Sequence, residues 1–347
     1  YPGHTVILRG NGVNTGRVKI LGSKYITFDG FEITNYNEGL WVEASSNIVV
    51  QNCNIHDIGQ EALAVKYTSS YITIENCTVH DTRKWQYNGE GIYIGTGSAG
   101  PLDNTNNVII RNNLVYNTVD EGIEIKPGTH DITVEGNTIY NAGTAFTSSS
   151  IGAGIEVNEA NLVVQSWPSN PNHIIRNNTI HSSKTAIRLG TGSQAYNNII
   201  YNISSSYYGI YVDNANGDAY TRRIYHNTLN LLSSNAVVVS SGTTDIKNNI
   251  GPTSTNNIAY SSSYFVNAAG NNYHLASGSA PVSAGVDLST WVTTDKDSVS
   301  RPQGGGWDLG AYEFVIAGAD TTPPVRSNGA PSGTLTAGTT STAISLT

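Results

Sequence analysis

Charge is scarce in this chain of 347 residues: Lys and Arg number 18, Asp and Glu 26, and only 13% of the residues are charged. A partner with a phosphate backbone is held by clustered Lys and Arg, so no nucleic-acid partner is expected. The two Cys cannot form a disulfide framework, and there is no Met. No run approaches the roughly 18 consecutive apolar residues of a membrane span. Helical periodicity is missing throughout. What is abundant is Gly, at 36, and Tyr, at 20, set among Asn, Ser and Thr. Few charges with many hydroxyls and amides suit a secreted or cell-surface protein.

One segment type recurs between residues 25 and 250. It reads Ile48-Val49-Val50-Gln51-Asn52-Cys53-Asn54-Ile55-His56, then Ile72-Thr73-Ile74-Glu75-Asn76-Cys77-Thr78-Val79-His80, then Val108-Ile109-Ile110-Arg111-Asn112-Asn113-Leu114-Val115-Tyr116. Further copies start at Ile132, Ile174, Ala195, Ile224 and Ile246. Each is a short strand, an Asn-centred bend and a second short strand. Between the copies lies another segment of strictly alternating apolar residues, as in Glu90-Gly91-Ile92-Tyr93-Ile94-Gly95 and Glu121-Gly122-Ile123-Glu124-Ile125-Lys126, with successive starts 23 to 32 residues apart. Such alternation is half-buried strand. Three short strands per period describe one rung of a solenoid, so the chain is read as all-β, a right-handed parallel β-helix.

Stacking turns each alignment column into a physical ladder with rungs about 4.8 Å apart. Cys53, Cys77, Asn113, Asn137, Asn178 and Asn198 share one column, where amides are expected to bond to one another and to turn backbone. The two cysteines are expected as free thiols, with an adjacent-rung disulfide as the alternative. His56, His80 and His181 share a column with Tyr116, Tyr140 and Tyr201, so a ring ladder is expected rather than a metal site.

The repeat decays after residue 250. Residues 1–315 are expected to form the β-helix, with a cap at about 251–315 covering the last apolar rung. Residues 316–332, with Asp320-Thr321-Thr322-Pro323-Pro324, read as a linker. The stretch 333–347 reads as the start of an immunoglobulin-like module, which implies further modules.

In the alternating segments, the outward columns hold Trp41 and Glu43, Ala64 and Lys66, Tyr93 and Gly95, Glu124 and Lys126, Glu156 and Asn158, Arg188 and Gly190, and Tyr211 and Asp213. This stripe has aromatic ends and a charged middle and is expected to face solvent. The longest rungs carry their extra residues on both edges of the same sheet, which would make walls. Those insertions bring Trp85, Tyr87, Phe146 and Trp167, rings suited to stacking on sugars. The candidate substrate contacts are Trp41, Lys66, Tyr93, Trp85, Trp167, Asn158 and Tyr211, and the expected ligand is a polysaccharide.

The repeats, the Asn ladder and the Asn88-Gly89-Glu90-Gly91-Ile92-Tyr93-Ile94-Gly95 and Asp120-Glu121-Gly122-Ile123-Glu124-Ile125-Lys126-Pro127-Gly128-Thr129 pair resemble the pectate-lyase-like superfamily of secreted β-helix proteins over roughly residues 1 to 315. Within it, the calcium-dependent lyases resembling chondroitinase B and alginate lyases hold Ca²⁺ with acidic residues on neighbouring rungs. The resemblance implies Lys126 as base, Glu124 and Glu156 as calcium ligands with Glu121 or Asn158, and Arg188 at the leaving oxygen or on a carboxylate; Glu90, which flanks the long rungs with Glu121, is a further candidate ligand. It implies a monomer that cleaves an acidic polysaccharide by β-elimination. The family's Arg-His-Gly segment is missing here, and Asn158 stands near where its Arg would be.

The residues also carry chemistry of their own. Glu124 and Glu156, as same-column neighbours, must share a proton or a cation. Oxygen ligands favour Ca²⁺, and Lys126 beside them keeps its charge unless a metal offsets the carboxylates. The same pair would serve a glycoside hydrolase. A third reading is a non-catalytic solenoid, carbohydrate-binding or surface-structural, with an interstrand salt-bridge ladder. The leading column of Glu38, Glu61, Glu90 and Glu121 is expected to bond mainly to backbone amides at the bend.

Overall fold

The structure is a computed structural model, and it describes residues 5–12, 16–82, 89–97, 103–143, 152–158, 171–212 and 220–315. Trp85, Trp167, the expected linker 316–332 and the expected module at 333–347 lie outside the described residues.

Three parallel sheets run the length of the molecule, with nine, nine and eleven strands among the described residues. The first sheet holds the alternating segments, from Val18–Leu21 to Val237–Val239. The second and third hold the two halves of the recurring segment, in register rung after rung. The right-handed parallel β-helix expected from the repeats is the observed fold. Away from the two ends, the strands are buried on their inward columns, and Ile, Val and Leu from all three sheets form one continuous core. Adjacent rungs lend one another their apolar faces, so no single rung is stable alone.

The bend between the second and third sheets explains the Asn columns. Its first residue is left-handed, with φ of 54° at Asn52 and Asn76 and 55° at Asn112, a conformation Asn tolerates better than most residues. The second residue points inward. Asn113, Asn137, Asn178, Asn198, Asn227, Asn249 and Asn257 form an unbroken ladder, each amide accepting from the rung before and donating to the rung after. Cys53 and Cys77 extend it as free thiols. His56, His80, Tyr116, Tyr140, His181 and Tyr201 stack with centroids 4.7 to 5.1 Å apart, as their shared column requires.

In the segment 251–315, Phe265, Tyr273, Leu275 and Leu309 pack with Ile199 and Ile250 of the third sheet. Ile258–Ala259 adds one strand beyond Ile250–Gly251, but the later residues run back lengthwise along the bend. Gly310 N–H donates to the Asn248 carbonyl at 2.8 Å, Asn197 donates to the Thr294 carbonyl at 2.8 Å, and Lys296 reaches the Asn177 carbonyl. Tyr196 and Tyr225 on the outside of the second sheet, packed with Leu288, Val292 and Trp307, give this strap its apolar seat. Arg301 and Glu313 pin it as a buried ion pair at 2.6 Å.

Candidate active site

The first sheet brings its outward columns together in the order the repeats dictate. Tyr93, Glu124, Glu156, Arg188 and Tyr211 are register partners on successive strands. Close approach of the rungs depends on a small residue before each strand: a Cβ on Gly122 would lie 2.6 Å from the Gly154 carbonyl oxygen.

These side chains point away from the core, yet they are not the solvent-facing stripe expected. Glu124 and Glu156 are each 2% exposed, and Trp41, Lys66 and Tyr93 are buried as well. Long side chains on neighbouring rungs lie over one another. Arg17 sits 3.8 Å from the Trp41 ring centre, Lys66 lies 3.9 Å from Trp41 and 4.2 Å from Tyr93, and Lys126 lies 5.0 Å from Tyr93. Each such cation–ring contact contributes about 0.5 to 2 kcal/mol. Trp41 and Tyr93, expected to stack on sugar, instead pack against cations and position Lys66 and Lys126. Arg17 escaped the column reading because it stands outside the recurring outward positions.

Beyond this stack lies the acidic centre. One carboxylate oxygen from each of Glu90, Glu121 and Glu124 lies within 4.8 Å of the others, and all three residues are buried. Glu124 Oε1 accepts from Lys126 and, at 2.7 Å, from Asn158, while Glu124 Oε2 has no partner among the described residues. Glu156 belongs to a different arrangement from the expected pair with Glu124: it meets Arg188 at 2.7 Å and is hydrogen-bonded to Glu121. Gly95, with φ of +97°, keeps the column open between Lys66 and Lys126, where a Cβ would meet Lys126 at 3.0 Å.

The leading Glu column is also more than a set of turn caps. Glu90 does accept from the Gly89 amide at 2.8 Å, but Glu38 pairs with Arg17 at 2.7 Å and Glu61 faces Lys66 at 3.5 Å. The bends close by backbone bonds between rungs, such as Gly91 N–H to the Glu121 carbonyl at 3.0 Å, so these carboxylates are left for the outward face.

Five buried carboxyl groups, Glu61, Glu90, Glu121, Glu124 and Glu156, thus meet Lys66, Lys126 and Arg188 among the described residues. Burial first, and the charge of Glu124 second, hold Glu90 and Glu121 well above the usual carboxylate range. Glu156 is pushed up to about 7 by burial and then by Glu124, against the pull of Arg188. For Lys126, burial acts to lower its basicity, but the adjoining Glu124 outweighs it and holds the ammonium above the usual lysine value. A site with this excess of carboxylates takes up protons or a cation. Three hard oxygen donors and one unsatisfied buried carboxylate oxygen fit Ca²⁺.

Residues 16–167 match the family model described as a right handed beta helix region. The three parallel sheets agree with that description. Among solved structures, this β-helix is similar to an alginate lyase from Paenibacillus sp. str. FPU-7, with 17% identity over 73% of this chain and 80% of that one and a TM-score of 0.53. It is also similar to the pectate lyase Pel9A, with 14% identity over 89% of this chain and 86% of that one and a TM-score of 0.50. At these identities the likeness is one of fold. No curated protein matches the sequence.

Tyr211, the last of the expected contacts on this face, stacks on Tyr208 at 5.1 Å beyond Arg188. No helix among the described residues is long and apolar enough to cross a membrane.

Proposed function

We propose that this β-helix is a secreted polysaccharide lyase that cleaves a uronic-acid polymer by calcium-assisted β-elimination. The observation that carries the reading is the buried Glu90, Glu121 and Glu124 triad with Lys126 bonded to its innermost member. The lyase names of the two β-helices of similar fold point the same way.

Glu90, Glu121 and Glu124 would hold the ion, which would neutralise the substrate carboxylate and take up the Glu124 charge that otherwise keeps Lys126 protonated. Lys126 then accepts the proton on C5 of the uronate. The electron pair of that C–H bond becomes the C4–C5 double bond, and the glycosidic oxygen leaves C4 with the C4–O bonding pair and takes a proton from solvent. Arg188, held by Glu156, lies on the adjoining rungs, where it would bind a carboxylate or assist the leaving oxygen. Asn158, by donating to Glu124, keeps that carboxylate turned toward Lys126.

Glu156 supports a second reading. A buried carboxyl pushed up to about 7 is matched to general-acid work near neutral pH, and its strand neighbour Glu124 would be the second carboxylate of a glycoside hydrolase.

A panel of uronate polymers separates the two. Elimination gives unsaturated chain ends that absorb in the near ultraviolet, and Lys126→Ala should lower their formation by about a thousandfold. New reducing ends without that absorbance would establish hydrolysis instead.

A further inference from the structure

Six residues occupy one outward column where the chain enters the second sheet: Tyr25, Asn47, Tyr71, Asn107, Asp131 and Asn172. The register of the strands aligns them rung by rung. All six have left-handed backbone, with φ between 52° and 59°. Asn and Asp adopt that conformation readily, whereas a bulky aromatic there is an outlier. Tyr25 and Tyr71 are nevertheless placed there, and they are 80% and 61% exposed. The fold gains little from two solvent-facing rings on strained backbone, which directs attention to binding.

The spacing is informative. Tyr25 and Tyr71 are two rungs apart, about 10 Å along the axis, which is one disaccharide of an extended 1,4-linked pyranose chain. Beyond Tyr71 the column continues as one wall of a pocket of about 360 Å³, with Asn107, Asp131 and Asn172 beside a floor of Thr73, Ile109, Thr133 and Ile174. The opposite side carries two ion pairs, Glu75 with Arg111 and Glu135 with Arg176, each at 2.6 Å. Asn172 donates to Asp131 at 2.9 Å, which fixes that pair and leaves further lone pairs and N–H groups for hydroxyls; with rings for the apolar faces of sugars and self-neutralised charges, this describes a carbohydrate surface.

We infer that the second sheet carries a non-catalytic binding track for an extended 1,4-linked polysaccharide chain, running from Tyr25 past Tyr71 to Asn172. The track lies on a different sheet from the acidic centre and does not depend on what chemistry occurs there. It would hold polymer to the solenoid lengthwise.

The test is affinity electrophoresis of the whole chain through gels holding alginate, polygalacturonate or a neutral 1,4-linked glucomannan. The wild type is compared with the double variant Tyr25→Asn/Tyr71→Asn. Asn is the residue this column favours, so the variant should melt at or above the wild-type temperature. Retardation by at least one polymer, weakened roughly tenfold in the double variant, supports the track, and the responding polymer tells a uronate from a neutral chain. Equal retardation of the two proteins, or none of the wild type by any of the three, overturns it. Neither result bears on whether unsaturated ends are formed, so failure of the track and failure of the lyase reading are separable.

Discussion

Glu156 is the residue through which pH should act on the site most plainly. Its carboxyl titrates at about 7 in the folded chain and in the ordinary carboxylate range once unfolded. The folded state therefore keeps a proton that the unfolded chain releases first. The stability this group contributes is complete below that ordinary range and is lost as pH rises through about 7. The Glu156→Gln variant cannot lose a proton there. Its melting temperature should change less than that of the wild type between pH 5 and pH 7 (roughly the window set by these two values). Parallel curves for the two proteins would assign the buried proton elsewhere. That Glu124, Glu156, Lys126 and Arg188 would gather on one face was legible in the alternation, because outward columns follow directly from a period of two. Their pairing was not. Whether Glu156 turns to Glu124 or to Arg188 depends on rotamers and on burial. The sequence columns also hid that Trp41 and Tyr93 face cations, since the lysines that cover them come from neighbouring rungs.

At the scale of the element, the Asn ladder is the part of the fold most fully written in the sequence. Each amide donates to a backbone carbonyl at the bend of the rung before and bonds to the next amide, so the column both repeats and explains itself. Asn178 shows what one member does: it accepts from the Asn137 backbone and side chain, and donates to the Val134 carbonyl at 2.9 Å and to Asn198. Asn178→Ala leaves those buried groups unpaired and should destabilise the chain by about 3 kcal/mol in denaturant unfolding. A loss below about 0.5 kcal/mol, the scatter of neutral surface changes, would mean that water replaces the amide. The strap at 281–314 was harder to place. Its residues signal the end of the repeat, but its seat is set by Tyr196 and Tyr225 far earlier in the chain, and no local pattern links the two.

Across the whole molecule, the solenoid brings together residues far apart in sequence without a long-range fold to encode. Contacts join neighbouring rungs, and a site grows by placing one unusual side chain per rung. The acidic triad is such a site. Glu90, Glu121 and Glu124 come from two adjacent rungs, with Lys126 following on the second. Arg188 and Glu156 come from the next two. A cation bound there would tie rungs together and stabilise the helix in proportion to its occupancy. Calcium titration calorimetry on the wild type, Glu124→Gln and Glu156→Gln tests this most directly, because it needs no knowledge of the sugar. One calcium ion should bind per chain, lost in Glu124→Gln and retained in Glu156→Gln. A wild type that binds no calcium at saturating concentrations would contradict it.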